Sequence, residues 1–173
     1  MPENGVVVRR AQAKDIERVG ALILERAVPD GSPAEGLRAT QRERRGVGPQ
    51  TAETANAYAR ERIMDRNGRA WVAEHNGQVT GFVATEMRAL PGIEGNVFYA
   101  RGLVVRRGSF VGEHLMKRVA MDAANRGFAH VHLQTNPLLG KFYARMGAEF
   151  LGPGEKEGIG IYRIPIPKNL ARP

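Results

Sequence analysis

The run Gly102-Leu103-Val104-Val105 is apolar and reads as a strand, and within a few residues it gives way to a helical pattern. Val111, Leu115 and Val119 recur at i, i+4 and i+8, with Met116 and Ala123 close to the same stripe, as a core-facing helix requires. Between strand and helix lies Arg107-Gly108-Ser109-Phe110-Val111-Gly112. A strand, a short Gly-containing loop and a helix in this order leave several amide N–H groups at the helix start without intrahelical partners. Those donors converge on one spot, and the helix dipole adds positive potential there. An anion suits such a spot, a phosphate above all. Arg106 and Arg107 stand beside it and are of the type that pairs with a pyrophosphate. An ordinary connection with Ser109 as N-cap is the alternative reading.

A second segment supports the site: Asn136-Pro137-Leu138-Leu139-Gly140-Lys141-Phe142-Tyr143-Ala144-Arg145-Met146-Gly147. Arg-Gly-x-x-x-Gly opening a helix, then a strand, then Asn136, Tyr143 and Gly147 at these spacings, resembles the GNAT superfamily of N-acyltransferases. The resemblance covers roughly the last two thirds of the chain, with a looser match at the start, and its second motif is the more specific one. The family usually carries Gly where this chain has Phe110.

The resemblance implies an α/β (α+β) GNAT fold: a mixed, mostly antiparallel central sheet of six to seven strands flanked by about four helices. It implies one acyltransferase domain spanning residues 1–173. It also implies acetyl-CoA, or another acyl-CoA, as cosubstrate and a small-molecule or peptide amine as acceptor, with a homodimer as in many members. By the same resemblance the amides of Gly108, Ser109, Phe110, Val111 and Gly112 cradle the pyrophosphate with Arg106 and Arg107. The pantetheine arm then runs along Leu103, Val104 and Val105, and the thioester oxygen accepts from an N–H near Leu103 or Val104. Asn136 hydrogen-bonds the pantetheine amides. Phe142 and Tyr143 adjoin the cofactor, and Tyr143 is the general acid that protonates the departing thiolate. Packing of Phe142 and Tyr143 against the sheet is the plainer reading, and for Tyr143 the two are compatible.

Family members often place a Glu base on the fourth or fifth strand. This chain has no acid between Asn96 and Val105, and the nearest candidates are Glu86 and Glu94, both of a type that also serves as solvated surface charge. His130 and His132 alternate onto one strand face, a spacing that a metal uses, yet no third ligand is visible and no metal is expected. His114 is left unassigned.

At 173 residues the chain suits one domain with a real core. The hydrophobic fraction of 42% and charged fraction of 25% are those of a globular protein. With no cysteine, disulfides, thiolate metal sites and Cys nucleophiles are all excluded. The start, Met1-Pro2-Glu3-Asn4-Gly5, lacks a signal-peptide pattern, and no apolar run approaches membrane-spanning length, so a cytoplasmic protein without membrane contact is expected. A charge of +8 favours anionic partners. Arg42, Arg44 and Arg45 cluster, but the other basic residues are spread along the chain.

In chain order, Val6 to Arg10 reads as a strand, and Ile16, Val19, Leu22 and Ile23 as a helix that ends before the turn Pro29-Asp30-Gly31. Residues 29 to 50 read as loop, and Thr51 to Arg66 as a helix presenting Ala55, Tyr58, Ala59 and Ile63 on one face. By resemblance, residues 30 to 66 line the acceptor. Ala70 to Glu74 and Gln78 to Met87 form a hairpin across Asn76-Gly77. Leu90-Pro91-Gly92 turns the chain into a strand over Asn96 to Val105. A helix spans residues 110 to 126, His130 to Leu133 is the fifth strand, and residues 137 to 146 form a short helix. Phe150-Leu151 and Ile159 to Ile166 close a hairpin, and Pro167 to Pro173 form a frayed tail.

Two rival functions stand beside the acyltransferase. One is a GNAT-fold protein with lost or altered CoA chemistry, acting as a binding or regulatory module, and Phe110 motivates it. The other is a basic nucleic-acid-binding protein. An aromatic fraction of 6%, with no stacking platform and no recognised nucleic-acid motif, argues against that one.

Overall fold

The computed structural model describes residues 5–27 and 51–170. The loop at residues 29–50, the Pro29-Asp30-Gly31 turn, the Arg42, Arg44 and Arg45 cluster and the last three residues of the tail lie outside the described residues. So does the greater part of the expected acceptor wall.

Among the described residues seven strands form one sheet: β1 (Val6–Arg10), β2 (Arg69–His75), β3 (Gln78–Leu90), β4 (Ile93–Val105), β5 (His130–Thr135), β6 (Glu149–Pro153) and β7 (Gly160–Pro165). Their spatial order is β1-β2-β3-β4-β5-β7-β6. Four helices accompany them among the described residues: α1 (Ile16–Ala27), α2 (Ala52–Met64), α3 (Gly112–Asn125) and α4 (Gly140–Ala144). The sheet is mixed, with β1–β2, β5–β7 and β6–β7 antiparallel and β4–β5 parallel. This is the sheet that the resemblance implies. The described residues fall into two compact units, one within Met1–Ala84 and Leu103–Leu115, the other within Thr85–Gly102 and Met116–Pro173.

In the first unit, α1 buries Val19, Leu22 and Ile23 in one cluster with Ala55 and Ala59 of α2 and Phe82 of β3. Each fully buried Val, Leu or Phe side chain contributes about 1.5–3 kcal/mol. The β2–β3 connection is Asn76-Gly77, with φ of 51° and 74°, the left-handed pair that a two-residue hairpin turn demands. A charged clamp fixes the start of the chain. Arg9 donates to both oxygens of fully buried Asp15, at 2.7 and 2.8 Å, and to Glu74. The Arg9 guanidinium holds the Asp15 carboxyl below the usual carboxylate range, against the effect of its burial. The N–H of Gln12 also donates to Asp15, at 2.8 Å. Gly81 of β3 faces the start of α3, where a Cβ would lie 2.7 Å from both Val111 and Leu115. Only a glycine lets the helix start approach the strand this closely.

In the second unit, Leu90, Val97, Tyr99 and Ile161 form a small core, and Phe98 packs on Phe128 with ring centroids 5.7 Å apart. Several expected boundaries change: β3 runs on to Leu90 and β5 to Thr135, and three further changes bear on the site. Strand β4 begins at Ile93 rather than Asn96, because the tight turn at Pro91-Gly92 pairs the chain at once. The helix expected from residue 110 begins at Gly112, since Phe110 has φ of +52° and is not helical. The helix expected over 137–146 is a 3-10 turn, Pro137–Leu139, followed by the short α4.

Candidate functional site

The loop from β4 into α3 belongs to the first unit. The Arg106 N–H donates to the Thr80 carbonyl at 2.8 Å, which ties the loop's start to β3. The Arg106 guanidinium does not face the helix start as a spare cation. It pairs with Glu25 at 3.1 Å and with Gln78 at 3.1 Å, because α1 and β3 present these groups to it. Ser109 is not an N-cap either. Its hydroxyl donates to the Arg106 carbonyl at 2.7 Å, and its N–H donates to the same oxygen. Gly108 has φ of +73°, with open space where a Cβ would stand. Phe110 is 87% exposed and also left-handed. A bulky side chain in this region is a true outlier. Where the family carries Gly, this chain keeps the backbone shape of a glycine while bearing an aromatic ring. Val111 is fully buried and anchors the helix start.

Strand β4 carries an irregularity just before the segment expected to meet the cofactor. Gly102 has φ of +68° within the strand, a conformation that interrupts the pleat and re-aims the next amides. The parallel register of β4 with β5 is a single pair, Tyr99↔His132. From Arg101 to Val105 every residue of β4 is half-buried.

The second unit holds the remaining candidates. Asn136 caps the turn that leads into α4, its Oδ1 accepting from the Leu139 N–H at 3.1 Å. Its carbonyl oxygen is therefore spent locally, and its amide N–H₂ is the group left to donate outward. Tyr143 is buried on α4, edge-on to Phe142 with centroids 4.9 Å apart. Burial pushes the Tyr143 hydroxyl up to about 12, and the Tyr99 hydroxyl adds to the effect. Tyr143 thus holds its proton at neutral pH, the state that a proton donor needs.

The two carboxylates proposed as bases stand apart in their surroundings. Glu86 accepts from Arg101 at 3.1 Å and pairs with Arg88 at 3.7 Å. Glu94 lines a cleft of about 590 Å³ with Ile93, His132, Leu151, Ile161 and Arg163. His132 is nine-tenths buried, and its burial lowers its pKa, with His130 and Arg163 adding to this. Among the described residues no group of three or more His, Cys, Asp or Glu is placed to hold a metal. No described helix is long and apolar enough to cross a membrane.

Tyr99 escaped sequence reasoning. It is buried on β4, with Arg88 4.9 Å from its ring centre, and burial pushes its hydroxyl up. The one signal was its place within the apolar run Val97-Phe98-Tyr99-Ala100. Glu155 was also missed, since a turn acid among Gly, Lys and Glu carries no pattern.

Residues 35–148 match the family model described as Acetyltransferase (GNAT) family, and the chain belongs to that family. Solved structures share the fold at low identity. An acetyltransferase of the GNAT family from Staphylococcus aureus Mu50 is 15% identical with a TM-score of 0.63, over 94% of this chain and 99% of that one. An aminoglycoside 6'-acetyltransferase type Ii is 18% identical with a TM-score of 0.64, over 96% and 99%. An acetyltransferase from Thermus thermophilus is 15% identical with a TM-score of 0.65, over 92% and 96%. No curated protein sequence matches the chain.

Proposed function

We propose that residues 1–173 act as one cytoplasmic acyltransferase domain that moves an acetyl or similar acyl group from acyl-CoA to an amine. The observation that carries the reading is the helix start at Gly112, reached from β4 through a loop whose Gly108 has φ of +73° and open space where a Cβ would stand. Tyr143, buried on α4, is given the role of donating its phenol proton to the thiolate as it leaves. The remaining roles follow the family. The amides of Gly108 to Gly112 are placed to receive the pyrophosphate, with Arg107 beside them and with Arg106 contributing its backbone rather than its paired side chain. Leu103, Val104 and Val105 present strand backbone to the pantetheine arm, and Asn136 offers its amide N–H₂. Acyl-CoA supplies the activated acyl group, and the chain positions it and polarises its carbonyl. The acceptor is a small-molecule or peptide amine, and a homodimer is the expected assembly. Glu86 is tied to two arginines and Glu94 lies in the cleft with His132, so the base role favours an acceptor amine that arrives uncharged.

Titration calorimetry with acetyl-CoA, with free CoA as comparison, tests the reading. A micromolar dissociation constant followed by acceptor-dependent thiol release supports it. Absence of binding by both overturns it. That outcome favours the second reading, a scaffold with altered CoA chemistry, for which exposed, left-handed Phe110 is the specific motive.

A further inference from the structure

The cleft of about 590 Å³ is built entirely from the second unit. Ile93 and Glu94 line it from the start of β4, Leu151 from β6, His132 from β5, and Ile161 and Arg163 from β7. Gly92 and Gly95, with φ of 73° and 76°, bracket Ile93 and Glu94, and left-handed residues of this kind turn a strand out of its regular pleat. Ile93 packs against the cluster of Leu90, Val97, Tyr99 and Ile161, which anchors this end of β4 on β7.

Strand alternation decides which side chains the cleft receives. From β7 it takes Ile161 and Arg163 but not Tyr162 between them, so it lies on the face that Ile161 and Arg163 share. His132 stands opposite Arg163 in register, and directly opposed residues of an antiparallel pair point to the same face. The His132 side chain is therefore on the face of the cleft. It is nine-tenths buried, and its Nδ1 meets no hydrogen-bond partner among the described residues. A buried polar atom is ordinarily paired, and no described group of the chain supplies the partner.

The charges of the cleft select its ligand. Burial lowers the His132 pKa, with His130 and Arg163 adding to this. The imidazole is thus neutral at neutral pH, a state in which one nitrogen accepts. Arg163 is engaged by Glu149, its Nε and Nη2 each 2.8 Å from Oε2. Glu94 is exposed, and among the described residues its carboxylate makes no ion pair. The groups left to recognise a ligand, Glu94 and His132, are both acceptors, and the one uncompensated charge is negative. Ile93, Leu151 and Ile161 add an apolar wall. We propose that this cleft binds a small organic amine in its protonated form. The ammonium donates to Glu94, the apolar body lies against Ile93, Leu151 and Ile161, and His132 accepts a further N–H or O–H. Binding needs no acyl-CoA, so the proposal goes beyond the acyltransferase reading and is tested apart from it.

The test uses the full chain without acetyl-CoA and three probes of similar shape: phenethylamine, 2-phenylethanol and 3-phenylpropanoate, which are cationic, neutral and anionic. Calorimetry gives each Kd, and the imidazole C–H resonances of the four histidines report the place of binding. The expected result is a preference for phenethylamine of about 10- to 100-fold over both others, the range of a hydrogen bond to a charged group. The His132 signals, assigned by their loss in His132→Gln, move most. Glu94→Gln, at an exposed position, brings phenethylamine and 2-phenylethanol to about equal affinity. Equal or weaker binding of the amine than of the alcohol overturns the proposal, as does a preference that survives in Glu94→Gln. Binding that leaves every histidine signal unmoved overturns it too, as does absence of binding by all three in the millimolar range. Each of these failures leaves the cofactor reading standing, because acetyl-CoA takes no part in the experiment.

Discussion

Arg88 donates from one nitrogen, Nη2, to both carboxylate oxygens of Glu155, at 2.7 and 2.9 Å. Glu155 in turn exchanges two hydrogen bonds with Gln134, at 2.7 and 2.8 Å. The turn between β6 and β7 is thereby fastened to the Gln134 side chain of β5 and the Arg88 side chain of β3. The ion pair is partly exposed, at 30% and 42%. Arg88→Ala is expected to destabilise by about 1 kcal/mol or less for the exposed pair, plus roughly 0.5–1 kcal/mol for the lost contact with Tyr99. Thermal melts check it. A loss well above this sum would show that the pair behaves as a buried one.

Tyr143→Phe removes the proton donor and keeps the ring. Turnover is expected to fall by about 10²-fold or more, the usual contribution of a general acid, with acetyl-CoA affinity by calorimetry nearly unchanged. An unchanged rate rejects the role. The same hydroxyl has a signature in alkali. Its value rises from 10.0 to about 12 on folding. Between those limits the native state holds a proton that the unfolded chain has released. Stability is therefore complete below pH 10 and declines as pH rises toward 12, by roughly 2–3 kcal/mol for a shift of this size. Tyr143→Phe should flatten that decline in denaturant titrations across this range, apart from the contribution of Tyr99, which has the same sign.

Gly112→Asp sets a carboxylate at the helix start. Gly112 is the first residue of α3 and is buried, so the favourable helix-dipole contribution of about 0.3–1 kcal/mol is outweighed by the cost of burying a charge. The same charge opposes a pyrophosphate. The expected outcome is a lowered melting temperature, with CoA affinity lost at temperatures where the variant remains folded. Retained affinity in calorimetry would exclude the helix start as the phosphate site.

At Phe110 the usual order of alanine and glycine should invert. Gly is ordinarily less stable than Ala by about 0.4–1 kcal/mol because it frees the unfolded chain. Here the left-handed φ of +52° penalises any Cβ, by about 1–2 kcal/mol. Phe110→Gly should therefore be more stable than Phe110→Ala by up to about 1 kcal/mol in urea titrations. Because the ring is 87% exposed, its removal loses little packing. Tighter acetyl-CoA binding by Phe110→Gly would show that the ring obstructs the cradle.

Local chemistry made much of the fold legible. Asn76-Gly77 announced its hairpin because the turn needs two left-handed residues, and Val111, Leu115 and Val119 announced α3 by their period. What stayed hidden depended on distant partners. Nothing near Arg106 in sequence says that Glu25 takes its side chain. Ser109 looks like a cap until its hydroxyl turns back to Arg106. The surface of Arg88, Arg101, Glu86 and Glu155 draws on separate segments, so no local motif could bring it together. The strand-loop-helix and Tyr143 could be read because their roles sit within short stretches of chain.

The order β5-β7-β6 places the later-made β7 between β5 and β6 rather than at the rim of the sheet. Synthesis and architecture therefore run out of step. Until Gly160 to Pro165 have been made, β5 has an open flank and β6 has nothing to lie against. A nascent chain halted before Gly160 presents that flank together with the apolar side chains of Phe150 and Leu151. The vulnerable species during synthesis is thus the chain that has made β5 and β6 but not yet β7.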